Sequence, residues 1–227
     1  MEISKETDFA EGQILLFDKE LTWTSFDLVK KVRNIVRIKK VGHAGTLDPL
    51  ATGLLMVCTG KATKLIQGIQ DAEKEYTGTF TLGATRPSFD KETEVNKVFD
   101  FKDLTADDIN KAAESFMGSI EQTPPIYSAV KVNGRRAYEH ARKGEDVKLK
   151  SRIVEIRDFD VVKIEMPIVY FRIRCTKGTY IRSIANDFGL KLNNGAYLSS
   201  LRRTRIGEYK IEDAMNVKEF EKIIREE

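Results

Sequence analysis

The sequence predicts an α+β fold in a single catalytic domain, residues 11–227, behind a polar tail of residues 1–10. Three observations lead there. Apolar residues recur at helical spacing in some segments and alternate with a period of two in others, these segments do not follow a regular strand and helix alternation, and no repeat or low-complexity linker divides the 227 residues.

Gly12 to Asp18 is a short apolar run suited to a buried strand, and a turn follows at Lys19 to Thr22. Thr24 with Asp27 three residues on predicts a capping box, and Phe26, Val29, Val32 and Val36 would be the apolar side of the helix it opens. The other side carries Lys30, Lys31, Arg33, Arg37, Lys39 and Lys40, with no acid from 28 to 41. Such a face is commonly just solvated, but here it leads into a loop of chemical interest. Leu54 to Cys58 is apolar and Ala62 to Ile69 suits a short helix. Tyr76, Gly78, Phe80 and Leu82 then alternate with threonines, which predicts a strand with one buried face. Tyr76 points with Phe80 and Leu82, either into the core or with its hydroxyl kept wet at the strand's end. Thr105 and Asp108 cap a further helix bearing Ile109, Ala112, Ala113 and Phe116, closed by Gly118.

From Thr123 to Gly144 the chain carries paired prolines, an Asn133-Gly134 turn, and basic residues interleaved with Tyr127 and Tyr138. A stretch of this length without core periodicity reads as an excursion, and its composition suits the gripping of a nucleic-acid backbone and stacking on bases. Lys131, Arg135 and Arg142 are its candidate phosphate contacts. Two strand-like runs follow, Ile153 to Glu165 and Ile168 to Cys175, with Met166-Pro167 as a tight connection. Lys177 to Arg182 opens a helix with Ile181, Ile184, Ala185, Phe188 and Leu192 on its apolar side. Arg182 falls in the first turn, where the macrodipole is positive, so either an anion holds it or the helix tolerates a small cost. Leu198 to Tyr209 carries Arg202, Arg203 and Arg205, and Met215 to Ile224 ends the chain as an amphipathic helix.

The formal net charge is +3, so any nucleic-acid role rests on local basic patches rather than on overall excess. Two cysteines, Cys58 and Cys175, stand far apart in apolar contexts and fit buried free thiols of a reducing compartment. With only His43 and His140 and no clustered cysteines there is no zinc-type ligand spacing, and no metal is expected. No transmembrane-length run or signal peptide is present, which predicts a cytoplasmic protein with no membrane partner.

Residues 42–53, Gly-His-Ala-Gly-Thr-Leu-Asp-Pro-Leu-Ala-Thr-Gly, isolate one carboxylate, Asp48, among small and apolar neighbours. Asp-Pro is a common turn initiator, because Pro49 disfavours the α region for the residue before it and an Asp side chain can bond its own backbone. The company of His43 and three glycines also suits a reagent held where backbone can approach a substrate. No basic partner is near in sequence, so a counter-charge to Asp48 must come from elsewhere in the fold.

The Gly42 to Gly53 run, Tyr76, the Pro124 to Gly144 loop, Lys177-Gly178-Thr179-Tyr180-Ile181-Arg182 and Leu201-Arg202-Arg203 together resemble the bacterial tRNA pseudouridine synthase B (TruB) family. The resemblance covers nearly the whole chain. It implies a pseudouridine synthase fold, a central mixed and mainly antiparallel sheet flanked by helices. It also implies a single-chain enzyme that converts the T-loop uridine at tRNA position 55 to pseudouridine after base flipping, with no cofactor and no obligate protein partner. Carried onto matching positions, Asp48 is similar to the nucleophile and Arg182 to its ion-pair partner. Tyr76 and Tyr180 resemble the residues bordering the target base, Leu201 the apolar residue closing its pocket, and His43 the residue meeting RNA around the flipped-out site. Lys19 matches the motif after the first strand, although Glu20 replaces the usual proline. Asp90 is kept in a segment, Leu82 to Asp90, that otherwise departs from the commoner polar version. Arg202 and Arg203 join the excursion as expected RNA-backbone contacts. Many family members continue into a C-terminal RNA-binding domain of the PUA type, which this sequence is expected to lack.

Two other readings fit parts of the sequence. A non-catalytic RNA-binding or ribosome-assembly module would use the basic patches without Asp48 or Arg182. An aspartate-dependent hydrolase of small molecules would use Asp48 and leave the arginine-rich regions incidental.

Overall fold

The computed structural model describes residues 3–132, 134–145 and 147–225. The strands in its first part are β1 (Ile14–Lys19), β2 (Val41–Ala44), β3 (Ala51–Thr59), β4 (Lys74–Leu82), β5 (Ala84–Thr85), β6 (Lys97–Val98) and β7 (Gly118–Gln122). Then come β8 (Lys131–Val132), β9 (Arg135–Arg136), β10 (Arg152–Glu165), β11 (Ile168–Cys175), β12 (Ala196–Ile206) and β13 (Tyr209–Lys210). The helices are α1 (Ser25–Val36), α2 (Ile66–Asp71), α3 (Ala106–Glu114), α4 (Ala137–Arg142), α5 (Ile181–Lys191) and α6 (Val217–Arg225). They make two compact units, one from the residues up to Tyr76 and from Leu201 on, the other from Thr77 to Ser200.

In the first unit β3 is the central strand. It is antiparallel to β1 along one edge, from Ile14↔Cys58 to Lys19↔Gly53. Its other edge is shared: β2 runs antiparallel from Val41↔Thr59 to Ala44↔Met56, and β12 runs parallel from Leu201↔Ala51 to Arg203↔Gly53. The loop 45–50 therefore leaves the sheet where β2 stops and Leu201 to Arg203 begin. Every residue of β3 except Thr52 is buried, which is why Leu54 to Cys58 reads as a continuous apolar run instead of an alternating one. One face of β1 buries Leu15, Phe17 and Lys19, and Phe17 meets Phe220 of α6 edge-on at 5.3 Å. Ile14 and Leu16 point the other way and pack with Ile66, Ile69 and Ala72 around Ala44, Leu54, Met56 and Ile206. Phe9, in the segment expected to be a polar tail, is 6% exposed and packs edge-on against Phe220 at 5.9 Å. Burial of an aromatic ring contributes roughly 1.5–3 kcal/mol, enough to tie down a short terminal segment.

Helix α1 opens with the expected capping box between Thr24 and Asp27, and Arg37 ends it in the left-handed region. Its buried stripe is Ser25, Leu28, Val29, Val32 and Ile35. The expected stripe that began at Phe26 is rotated: Phe26 is 61% exposed, because Leu28 and Ile35 complete a better i, i+4, i+7 row than Phe26 and Val36 do.

In the second unit the strand order is β12, β4, β11, β10, β7. β10 is antiparallel to both β11 and β7. The expected one-sided pattern of β4 holds, with Tyr76, Phe80 and Leu82 buried, and Val169, Phe171, Ile173 and Cys175 of β11 are buried likewise. Gly78 interrupts the apolar row because a Cβ there would lie 2.3 Å from the Ser200 carbonyl oxygen. Phe80, Phe116, Phe159, Phe171 and Phe188 form one aromatic cluster, with Phe80 and Phe171 at 4.3 Å. Helix α3 carries the expected capping box and buries Ile109, Ala112 and Ala113. Within the excursion, β8 and β9 pair as a hairpin and α4 follows, with Ala137 and His140 buried. Asn133 of the expected Asn-Gly turn lies outside the described residues. The arginine-rich run from Leu198 belongs to an eleven-residue strand, β12. Cys58 and Cys175 are free and buried, and burial pushes the Cys58 thiol up to about 11.

Candidate active site

Asp48 is half-buried on the loop between β2 and β3. It keeps the turn role that its Pro49 neighbour predicts, since its carbonyl accepts from Ala51 N at 3.0 Å. Around it the loop is pinned from three sides of the first unit. The buried Ser25 hydroxyl donates to Leu47 O at 3.2 Å and accepts from Leu47 N at 2.9 Å, so the first turn of α1 holds both polar groups of one peptide residue. Thr22 N donates to Pro49 O at 2.8 Å. Arg203 donates from Nε to Leu54 O at 2.8 Å and from Nη2 to Gly45 O at 3.1 Å. Gly53 makes this close approach possible: its φ is +100°, and a Cβ there would lie 2.3 Å from Arg203 O.

Two cations expected to touch substrate are placed beneath this loop. Lys19 is 1% exposed and its ammonium donates to Glu20 O at 3.0 Å and Trp23 O at 2.7 Å. Burial pushes its pKa down to about 8, with Asp48 opposing the fall and Arg203 adding to it. Arg203 is also 1% exposed, so it acts on the loop's carbonyls and not on an RNA backbone. The physical reason is the same for both: backbone carbonyls, from the following turn for Lys19 and from a distant segment for Arg203, accept from the cation and offset its desolvation. Arg202 is half-exposed and grips Asp18 through both oxygens, at 2.9 and 2.7 Å. His43, on β2, is half-buried and burial pushes its pKa below the ordinary value, so at neutral pH it is a neutral imidazole. Tyr76 is 9% exposed at the end of its segment, and Leu201 pairs with Ala51 three residues from Asp48.

In the second unit Arg182 is 4% exposed in the first turn of α5. The anion that its position against the dipole calls for is, within this unit, Asp90: Nε lies 3.5 Å from Oδ2 and both side chains are buried. Arg182 also donates from Nη1 to Tyr127 O at 2.9 Å and to Ser88 O at 3.4 Å. Asp90, expected to contact substrate, is buried against the Arg182 guanidinium. Tyr180 is the N-cap of α5, and its backbone is clasped by the fully buried Gln122, which accepts from Tyr180 N at 2.7 Å and donates to Tyr180 O at 3.1 Å. The Arg152 guanidinium lies 4.8 Å from the Tyr180 ring centroid. On the excursion Lys131 and Arg135 are exposed, while Arg142 stacks on Tyr138 and pairs with Glu92 at 3.3 Å.

Sequence reasoning missed Ser25 and Gln122. Neither type announces itself, but the serine directly after an N-cap threonine on an otherwise apolar stripe was a usable signal. Among the described residues no group of three or more His, Cys, Asp or Glu is arranged to hold a metal ion, and no helix is long and apolar enough to cross a membrane.

Residues 33–181 match the model of the TruB family pseudouridylate synthase N-terminal domain, and residues 182–227 match that of the tRNA pseudouridylate synthase B C-terminal domain. A protein of Flavobacterium johnsoniae named tRNA pseudouridine synthase B is 48% identical over 225 residues, covering 96% of this chain and 98% of that one. One of the same name from Chloroherpeton thalassium is 51% identical over 221 residues, covering 95% and 92%. Among solved structures, a Cbf5-Nop10-Gar1 complex contains a chain similar at a TM-score of 0.74 and 30% identity; the match covers 97% of this chain and 58% of that one. The mixed sheet flanked by helices is thus the pseudouridine synthase fold, and the chain belongs to the TruB family of pseudouridylate synthases.

Proposed function

We propose that this chain is a cytoplasmic tRNA pseudouridine synthase B that isomerises the T-loop uridine of tRNA, acting on the T-arm without cofactor or protein partner. The observation that carries the reading is the held carboxylate: Asp48 sits on a loop pinned by Ser25, Thr22 and Arg203 above a buried ammonium, in a chain matched along nearly its full length by relatives of that name.

The reaction breaks the N1–C1′ bond of uridine, turns the uracil within the site and joins C5 to C1′, with the C5 proton moved to N1. Nothing is gained or lost overall. A carboxylate suffices because it can bond a carbon centre and leave again. Asp48 is the proposed nucleophile, toward C1′ or C6 of the base. Arg182 as its charge partner rests on the resemblance, and its forked donor would hold a carboxylate as lysine could not. Extrusion of the base from the T-loop costs a few kcal/mol, offset by stacking on Tyr76 and Tyr180 and by apolar contact with Leu201. The Tyr76 hydroxyl is suited to carry the C5 proton. Lys131, Arg135 and the α1 face supply phosphate contacts that read RNA by shape.

The test is incubation of the protein with unmodified tRNA, followed by mapping of pseudouridine through chemical adducts and primer-extension stops. A new stop in the T-loop supports the reading, and its absence at full RNA occupancy contradicts it.

A further inference from the structure

Three apolar side chains are exposed on segments that are hydrogen-bonded to the Asp48 loop. Leu21 is 54% exposed, Phe26 61% and Leu50 37%. Scattered exposed apolar residues are ordinary on any surface. These are not scattered. Thr22, next to Leu21, bonds Pro49, next to Leu50, and Ser25, next to Phe26, bonds Leu47. Thr22 also has a φ of +72°, unusual for a β-branched residue, and such strain persists where surrounding structure imposes it and concentrates at functional sites.

The charges beside these residues say what could lie on them. Lys30 follows Phe26 by one helical turn on the exposed side of α1, so an aromatic face and a cation stand in one row. The acid in the first turn, Asp27, has its carboxylate engaged by Thr24 N at 2.9 Å and Thr24 Oγ at 2.6 Å. Glu20 is exposed next to Leu21, which makes that side unsuited to phosphate and leaves its apolar surface to a base. An aromatic platform with a cation on one side is the recognition device for a single-stranded nucleotide.

We propose that Leu21, Phe26 and Leu50 form an apolar rim to the Asp48 loop that takes an unstacked base of the substrate RNA, with Lys30 on the adjoining phosphate. The inference rests on the reading of the chain as an RNA-modifying enzyme and adds a positioning surface to it. Phe26 is the central platform. Its exposure means that replacing it does not disturb the core.

The experiment compares wild type, Phe26→Ala and Phe26→Trp by filter binding to an unmodified tRNA transcript, by KM and kcat for pseudouridine formation, and by sedimentation velocity. Phe26→Ala is expected to weaken binding about tenfold, the size of one lost base stack, with the change falling in KM, while Phe26→Trp restores it. Equal binding by wild type and Phe26→Ala overturns the proposal, as does an unrestored loss in Phe26→Trp. A wild-type dimer that Phe26→Ala converts to monomer also overturns it, since the rim would then serve a second copy. Wild type that binds RNA without turnover counts against the proposed function alone, and the Phe26 effect on binding still decides this inference.

Discussion

Lys19 is the residue whose environment departs furthest from what its type suggests. Its ammonium would lose a proton near pH 10.5 in the unfolded chain and near 8 in the folded one. Below pH 8 both states hold the proton and the full cost of burying the charge is present. Between 8 and 10.5 the unfolded chain binds more protons, so this group's contribution to stability rises with pH across that window. In urea denaturation, wild type is expected to gain about 2 kcal/mol relative to Lys19→Met between pH 7.5 and pH 10. A difference that stays flat contradicts the buried charged state. The sequence marked Lys19 as part of a motif but put it in contact with substrate. Burial of a cation depends also on neighbours such as Arg203, far along the chain, and local sequence does not show where those converge.

At the scale of elements, most of what local pattern could show was legible. Both capping boxes, the alternation of β4 and the apolar side of β11 stand where the spacing put them. The strand β12 was not legible, because its three arginines hide an alternation whose partners, β3 and β4, lie far away in sequence. The rotated stripe of α1 has the same origin: burial of Leu28 and Ile35 is decided by packing, while Phe26 looked equally apolar on paper. For Arg182 in the first turn of α5 the sequence left open an anion or a tolerated cost, and a carboxylate lies beside it. Asp90 meets it in the second unit, 92 positions earlier, and no spacing rule connects the two. Removing Asp90 takes a carboxylate away from a buried guanidinium, so Asp90→Ala is expected to lower unfolding stability by up to about 3 kcal/mol. A change below about 0.5 kcal/mol in denaturant titration would show that the other partners of Arg182, the carbonyls of Tyr127 and Ser88 among them, suffice for it.

Over the whole molecule, Lys and Arg number 38 against 35 acidic residues, so net charge gives an RNA little attraction and the exposed cations must act locally. With Arg203 buried, the exposed cations proposed to meet RNA are Lys30, Arg37, Lys39 and Lys40 around α1 and Lys131 and Arg135 on the excursion. If about four of them meet phosphate, tRNA affinity falls by more than about tenfold between 50 and 200 mM salt. A flat response would remove them from the interface. The two compact units were not visible in the sequence, since the chain passes from one to the other inside strands, after Tyr76 and again after Ser200, with no linker to mark the boundary.

The account turns on Asp48, and the most direct measurement is pseudouridine formation in unmodified tRNA by wild type beside Asp48→Asn, with RNA affinity measured in parallel. Wild type should modify the T-loop uridine while Asp48→Asn binds the RNA with little change and forms no product. Turnover by Asp48→Asn would contradict the nucleophile assignment and return Asp48 to the turn that Pro49 shapes.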